Sequence, residues 1–267
     1  MLGAIIGDIV GSIYEFNNIK AKEFMFFDPH CEFTDDTVMT IAVCKALFEA
    51  KGKWHRLNKL TVNNLQKYGR LYPAMSYGGR FLTWLNSKKP QPYNSCGNGS
   101  AMRVSPVAYF AKDLDEVKLL SKLVTEVTHN HEEGIKGAEA TACAIFLARQ
   151  GKSKEEIKQF IEDNYYKLDF TYEDLNKNYS FTELAQDTVP QAIFCFLISE
   201  SFEDAIRIGV SIGGDSDTLC AITGAIAEAY YGIDDKMKYR ALSYLDDEIT
   251  AIYEQFEKEV GKNCGKN

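Results

Sequence analysis

Apolar residues along this chain recur mostly every three or four positions, which is the spacing of a helix with one buried face. In the segment 35–50, Val38, Ile41, Ala42 and Leu47 form such a stripe. The same spacing predicts further helices at 113–128, 132–150, 153–163, 188–200, 201–211, 216–231 and 235–260. The alternation of apolar and polar residues that is typical of strands is hard to find. The pattern therefore predicts an all-α fold, a compact multi-helix orthogonal bundle.

Helix start signals support these assignments. Thr34 and Thr188 each precede an apolar run, where a hydroxyl can accept a hydrogen bond from the first turn. Pro190 follows closely, and early in a helix its missing N–H costs little. The segment 165–182 mixes aromatic and polar residues, so we expect an irregular excursion or a short hairpin there.

Two stretches, 17–34 and 86–100, are predicted to be long functional loops, and the second contains two prolines and two glycines. The chain shows no shift in composition, internal repeat or low-complexity tract that would divide it. Its 267 residues suffice for a sizeable core. We therefore expect a single domain over residues 1–267, with specificity determined by the two loops.

The charge balance bears on possible partners. The formal net charge is −8, and an acidic surface disfavours nucleic acid as the main partner because phosphates are bound by Lys and Arg. The apolar N-terminus lacks a basic region and is interrupted by Asp8, so we expect neither a signal peptide nor a membrane span. No exposed heptad stands out, which favours a monomer.

The cysteines indicate the compartment. The count is seven, an odd number, and no C-x-x-C pair or Cys/His cluster occurs. Most of them lie in apolar stretches, where a thiol behaves as a small hydrophobic group. We therefore expect reduced thiols and a cytoplasmic protein.

Two acidic motifs stand where helices are predicted to begin, "TDDT" at 34–37 and "GGDSDT" at 213–218. An ordinary helix cap would explain either motif alone. A cap needs one acceptor, however, whereas each motif has two aspartates and two hydroxyls. Oxygen ligands without His or Cys select hard cations such as Mg²⁺ or Mn²⁺. Four carboxylates can hold two such ions, about 3.5–4 Å apart, to bind a diol or activate water.

Five segments, in this order, resemble the signature segments of the ADP-ribosylglycohydrolase family: "GAIIGDIVGSIYEF", "FTDDTVMTIAV", "GNGSAMRVSPVA", "VTHNHEEGIKGAEA" and "SIGGDSDTLCAITGAIAEAYYG". They span residues 3–232. The resemblance implies an all-α fold with two Mg²⁺ or Mn²⁺ ions at the mouth of an ADP-ribose cleft. It also implies hydrolysis of the glycosidic bond between ADP-ribose and an acceptor, either a modified protein side chain or a small conjugate.

The resemblance also assigns residues to the metal site and to catalysis. The metal-binding positions that match are Thr34, Asp35, Asp36, Asp215, Asp217 and Thr218. Cleavage at the anomeric carbon passes through an oxocarbenium-like state, and the attacking water needs a carboxylate as base. Glu15 and Asp36 are the candidates. Glu15 has an alternative interpretation as a surface residue at a helix end.

The glycine-rich loop matches the phosphate-binding loop of the family, where exposed amides at a helix start suit a diphosphate. The implied ligand-binding residues are Gly97, Asn98, Gly99, Ser100, Met102 and His129. Cys96 replaces an aromatic residue that stacks on adenine in some relatives. An adenine contact would then come from Tyr93, Phe81 or Tyr109. His131 has no counterpart, and we expect it to be structural.

Two other functions remain open from the sequence. Two-metal carboxylate sites also hydrolyse phosphoesters, so a nucleotide phosphohydrolase is one alternative. The other is a non-catalytic protein that binds ADP-ribose. Complete acidic motifs disfavour the second alternative, because a protein that had lost catalysis would not need to keep its metal ligands.

Overall fold

The computed structural model describes the backbone of residues 1–264 and the side chains up to residue 260. Within these residues the chain is helical and contains no strand, only one isolated bridge between Gly97 and Leu184. The all-α prediction is confirmed. The last three residues of the predicted domain 1–267 and the side chain of Cys264 lie outside this description. The helices are α1 Leu2–Gly11, α2 Asp35–Ala50, α3 Leu57–Leu71, α4 Gly79–Asn86, α5 Gly99–Met102, α6 Val107–Phe110, α7 Leu114–Thr125, α8 Glu132–Arg149, α9 Lys154–Asn164, α10 Tyr172–Asn178, α11 Ala185–Ile198, α12 Phe202–Ile212, α13 Ser216–Tyr231, α14 Asp235–Leu242 and α15 Asp247–Cys264.

The C-terminal region differs from its prediction. The segment 235–260 is not one helix, because α14 ends at Leu242 and α15 begins at Asp247. The carboxylate of Asp246 accepts a hydrogen bond from the backbone N–H of Ile249 at 2.9 Å. This contact is a helix N-cap, which allows the chain to start a new helix instead of continuing the old one.

The start of α11 also differs from its prediction. The helix begins at Ala185, so Thr188 is not its cap. The Thr188 hydroxyl instead donates to the carbonyl of Leu184 at 3.0 Å. Pro190 therefore lies inside the helix. In the segment 165–182, the hairpin alternative is wrong because residues 172–178 form the short helix α10.

Helices α1 and α13 pack closely enough to bring backbone against backbone. A Cβ atom added to Gly7 would lie 1.9 Å from the carbonyl oxygen of Cys220, and one added to Gly11 would lie 2.4 Å from that of Ser216. Gly3 is as tightly placed one turn earlier. This antiparallel contact fixes the C-terminal end of α1 beside the N-terminal end of α13, where the second acidic motif begins.

The loop 17–34 packs against the turn between α12 and α13, next to the start of the second acidic motif. The Asn18 side chain donates to the carbonyl of Gly214 at 2.9 Å and accepts from its N–H at 2.8 Å. Lys20 donates to the carbonyl of Ile212, the last residue of α12. Gly213 and Gly214 have φ of 76° and 83°, a region that favours glycine. The loop therefore braces the turn between α12 and α13.

None of the helices among the described residues is long and apolar enough to cross a membrane. The described cysteines, Cys31, Cys44, Cys96, Cys143, Cys195 and Cys220, are free thiols, and all but Cys96 are buried.

Candidate metal centre and ligand cleft

The fold brings both acidic motifs together at the starts of α2 and α13. Carboxylate oxygens of Asp8, Asp36 and Asp217 lie within 4.8 Å of one another, and so do those of Glu15, Asp215 and Asp217. The two triads share Asp217. Of the six residues assigned to the metals, Asp36, Asp215 and Asp217 belong to these triads.

The other three assigned residues surround the triads. Asp35 lines the same cleft but belongs to neither triad. The Thr218 hydroxyl donates to Oδ2 of Asp36 at 3.1 Å. The Thr34 hydroxyl donates to Oδ1 of Asp8 at 2.7 Å, and its oxygen accepts from the N–H of Asp36 at 3.3 Å, the cap contact that the sequence predicts.

Asp8 is a member of the site that the sequence analysis did not assign. It is fully buried, and its Oδ2 accepts hydrogen bonds from the N–H groups of Thr34 at 2.9 Å and Thr37 at 3.0 Å. The signal available in the sequence was one carboxylate within an otherwise apolar helix. A carboxylate buried in an apolar helix requires hydrogen-bond donors, and these lie at the start of α2, at its cap Thr34 and at Thr37.

The carboxylates of the site raise one another's pKa. Burial, followed by repulsion from Asp217, raises the pKa of Asp35 to about 7. The same two causes raise the pKa of Asp36 well above its usual range and that of Glu15 to about 8. Burial also raises the pKa of Asp215 to about 6. Among the described residues, no Lys, Arg or His forms a salt bridge with these carboxylates that would balance their clustered negative charge.

The donor set fits hard cations. Oδ1 of Asp36 is buried and has no hydrogen-bond partner, although a buried carboxylate oxygen normally requires one. Five carboxylates converge here, and their oxygens are the ligands that Mg²⁺ and Mn²⁺ prefer. Divalent cations would supply both the missing partner and the missing positive charge.

An open cleft borders these carboxylates, and its empty space, counted with the adjoining solvent, is about 1090 Å³. Its wall includes the glycine-rich loop, which is fixed by backbone and side-chain contacts. The N–H of Asn98 donates to the carbonyl of Glu183 at 2.8 Å, and its side chain donates to Oδ2 of Asp215 at 2.7 Å. Asn98 therefore connects the loop to the acidic cluster of the candidate metal centre.

The remaining residues assigned to the loop have distinct surroundings. Gly97, Gly99 and Met102 line the cleft. The Met102 sulfur lies 3.7 Å from the hydroxyl of Thr218, so it also contacts a residue of the candidate metal centre. Ser100 is fully buried, and its hydroxyl donates to the carbonyl of Gly97 at 3.1 Å. Its side chain stabilises the loop from within.

The cleft wall also carries basic side chains, those of His129, Arg80 and Arg103. Burial, followed by the charges of Arg103 and Arg80, lowers the pKa of His129 well below its usual range. His131 accepts the N–H of Glu133 as the cap of α8, in agreement with the expected structural role.

Two of the three candidates for the adenine contact line the cleft, and the third does not. Tyr93 and Phe81 line the cleft. The guanidinium of Arg80 lies 4.9 Å above the ring of Tyr93, and Phe81 stacks on Trp84. Tyr109 packs edge-to-face on Phe256 with ring centroids 5.0 Å apart, away from the cleft lining.

Comparison with known proteins agrees with this architecture. The sequence model of the family described as ADP-ribosylglycohydrolase matches residues 1–265. The human protein "ADP-ribosylhydrolase ARH3" is 27% identical, over 88% of this chain and 85% of its own. The "ADP-ribosylarginine hydrolase Tri1" of Pseudomonas putida is 25% identical, over 87% of this chain and 70% of its own. A solved structure titled "ADP-ribosylglycohydrolase-related protein complex" shares the fold, with a TM-score of 0.68 at 22% identity over 94% of both chains.

The all-helical fold, the paired acidic helix starts and the match over nearly the whole sequence define one class of protein. The chain belongs to the ADP-ribosylglycohydrolase family, as the five sequence segments predicted. It is an ADP-ribosyl hydrolase, an enzyme that cleaves glycosidic bonds of ADP-ribose.

Proposed function

We propose that this chain releases ADP-ribose from a modified protein side chain or a small ADP-ribosyl conjugate, by metal-dependent hydrolysis in the cleft beside Asp36, Asp215 and Asp217. The observation that carries the proposal is the pair of carboxylate triads sharing Asp217, with an unpartnered buried oxygen on Asp36. Two Mg²⁺ or Mn²⁺ ions held there would orient the ribose hydroxyls and activate a water.

Within this proposal, Glu15 is the favoured base. Glu15 follows the 3-10 helix Ser12–Tyr14, lines the cleft and is only partly buried, so it can reach both water and substrate. Asp36 is almost completely buried and already accepts a hydrogen bond from Thr218. Asp36 is therefore better placed to act as a metal ligand than as the general base. Glu15 would take the proton of the water that attacks the anomeric carbon.

The diphosphate would lie beside the glycine-rich loop and the basic side chains of the cleft wall. Gly97 and Gly99 have no side chains of their own to cover their backbone amides, and a Cβ added to either would lie within 3.6 Å of Nε2 of His129. This arrangement supports the assignment of the glycine-rich loop to phosphate binding. Ser100 is compatible with that role because its side chain is directed into the loop and not towards the cleft.

The proposal includes a monomer in the cytoplasm. Free, mostly buried thiols at the described cysteines are typical of a reducing compartment. Size-exclusion chromatography with light scattering would measure the oligomeric state directly. A stable dimer would contradict this part of the proposal without affecting the chemistry.

The test is incubation of the purified protein with Mg²⁺ or Mn²⁺ and a panel of ADP-ribosylated substrates, with Asp215→Ala, Asp217→Asn and Glu15→Gln as variants. We expect free ADP-ribose from the wild type and a loss of at least about a hundredfold in each variant. Glu15→Gln should still bind the metal ions, although more weakly than the wild type, as measured by calorimetry, because it removes only one member of one triad.

The products separate the alternatives. Free ADP-ribose with an intact diphosphate supports the proposal. AMP and ribose 5-phosphate would identify a nucleotide phosphohydrolase instead. Binding of ADP-ribose that survives chelation, without turnover of any substrate, would identify a non-catalytic ADP-ribose-binding protein.

A further inference from the structure

We propose that Arg103, acting through the hydroxyl of Thr128, holds His129 in the tautomer that carries its proton on Nε2, so that this N–H is available to donate to the anionic part of the substrate. Arg103 and Thr128 are then positioning residues, and His129 is the residue that touches the ligand. The inference rests on the proposed function and deepens it.

Hydrogen bonds around Thr128 fix the direction of its proton. Arg103 Nη2 lies 2.6 Å from the Thr128 hydroxyl oxygen, and because a guanidinium only donates, that oxygen must accept. The same hydroxyl lies 2.7 Å from Nδ1 of His129 and 3.4 Å from the carbonyl of Thr125. Its single proton must go to one of these two.

The carbonyl of Thr125 is already occupied. It accepts the backbone N–H groups of Thr128 at 3.2 Å and His129 at 3.0 Å, which uses both lone pairs of a carbonyl oxygen. The Thr128 proton is therefore assigned to Nδ1 of His129, at the much shorter distance. A neutral imidazole that accepts at Nδ1 carries its proton on Nε2.

Nε2 faces the glycine-rich loop. A Cβ atom added to Gly97 would lie 3.6 Å from Nε2, and one added to Gly99 would lie 3.5 Å from it. Among the described residues, Nε2 has no hydrogen-bond partner, and His129 lines the cleft. The free N–H therefore lies beside the two positions of the loop that have no side chain of their own.

Arg103 is itself unusual. Its side chain is 1% exposed, its Nε has no hydrogen-bond partner, and it forms no ion pair with the described residues. A buried charge of this kind is costly unless an opposite charge approaches it. An anionic ligand in the cleft, which Arg103 lines, would supply that charge, while Arg103 keeps His129 neutral and oriented.

The test compares Thr128→Val, which has nearly the same shape but no hydroxyl, with Thr128→Ser, which keeps the hydroxyl. Protein labelled with ¹⁵N-histidine reports the tautomer through the chemical shifts of the two ring nitrogens. The chain has four histidines, and His129→Gln identifies the relevant signals. Thr128→Ala serves as a second variant if valine disturbs folding.

We expect the wild type and Thr128→Ser to show a protonated Nε2 and an unprotonated Nδ1 without any ligand. Thr128→Val should shift towards a mixture of tautomers. Its dissociation constant for free ADP-ribose in the presence of Mg²⁺ should rise roughly tenfold, whereas that of Thr128→Ser should change less than about twofold.

An unchanged tautomer in both Thr128→Val and Thr128→Ala would overturn the positioning role of Arg103 and Thr128. A changed tautomer with unchanged ADP-ribose affinity would overturn the donation from Nε2 to the ligand. If the wild type shows the expected tautomer but binds no ADP-ribose, the proposed function fails, and that result is distinct because the NMR readout needs no ligand.

Discussion

The carboxylate of Asp8 ties the first helix of the chain to the start of α2. Its Oδ2 accepts the N–H of Thr37, the third residue of that helix, at 3.0 Å, and this is the contact that an N-cap side chain normally makes. The local cap, Thr34, makes a longer bond of 3.3 Å to Asp36. Asp8 is thus a cap supplied from another helix, and its carboxylate also belongs to a triad of the candidate metal centre.

These two roles of Asp8 can be separated by substitution. Asp8→Asn can still accept from Thr34 and Thr37 through its amide oxygen, whereas Asp8→Ala leaves both N–H groups without a partner. In EDTA at pH 5, where Asp8 is still protonated, we expect the asparagine variant to be as stable as the wild type within about 1 kcal/mol, and the alanine variant to lose about 1–3 kcal/mol. Urea denaturation measures both.

Titration of the same two variants with Mn²⁺ tests whether the charge of Asp8 contributes to metal binding. Both should bind Mn²⁺ more weakly than the wild type, because each removes one carboxylate from the Asp8–Asp36–Asp217 triad. Equal stability of Asp8→Asn and Asp8→Ala would show that the cap contact is unimportant. Unchanged affinity in both would exclude Asp8 from the metal centre.

At the scale of helices, the contact between α1 and α13 positions the site. Gly3, Gly7 and Gly11 repeat at every fourth residue of α1, so that one narrow face without side chains runs along the helix. This face lets the backbones touch, and the Cβ of any other residue would push the helices apart. The acidic start of α13 therefore depends on glycines that carry no chemistry themselves.

Gly7→Ala tests this dependence. The new Cβ would overlap the carbonyl of Cys220, so we expect a loss of about 3 kcal/mol or more in the free energy of unfolding, with weaker metal binding from the displaced α13. Gly79→Ala, at the start of α4, is the matched control because its Cβ would meet no atom within 4 Å. It should change stability by less than about 1 kcal/mol. Similar losses in both variants would contradict the close helix contact.

Local patterns reveal helices better than they reveal which helices meet. The periodicity of 216–231 gives the bounds of α13, Ser216–Tyr231, because nothing interrupts it. It fails in 235–260, where the apolar spacing continues across the break and only Asp246 marks the new start. Asp8 was missed for a related reason, since its partners are 26 or more residues away.

The motifs of the candidate site could be recognised from the sequence, but their connections could not. The amide of Asn98 donates to Asp215, 117 residues further along, and thereby joins the loop to the metal centre. Arg103 stands directly after the glycine-rich loop. Its proposed positioning role depends on a hydrogen bond to Thr128, which follows the end of α7. Contacts of this kind follow from helix packing, which no local pattern encodes.

At the scale of the whole molecule, the cleft carries both acidic and basic side chains. Carboxylates gather at the starts of α2 and α13, and the cations Arg80 and Arg103 line the same cleft together with His129. The net charge of −8 therefore does not describe the cleft. Without bound metal ions, the clustered carboxylates should destabilise the fold, because they are held close together and away from water.

The pH dependence of stability should reveal this cost. In EDTA, the folded state keeps protons on Asp8 and Asp215 up to a pKa of about 6, on Asp35 up to about 7 and on Glu15 up to about 8. Unfolded carboxyl groups release them near pH 4. The folded state thus binds more protons between these values, so its stability falls as the pH rises from about 4 to about 8. Thermal melting in EDTA at several pH values measures the slope.

Divalent cations should reverse this trend, because they bind the ionised carboxylates of the folded state only. We expect the increase in Tm caused by Mg²⁺ or Mn²⁺, relative to EDTA, to be small at pH 5 and to grow towards pH 8. Asp217→Asn, which removes the carboxylate shared by both triads, should flatten the slope in EDTA and abolish most of the metal effect. A metal effect of the same size at every pH, or stability in EDTA that rises with pH, would mean that the clustered carboxylates are not the cation site.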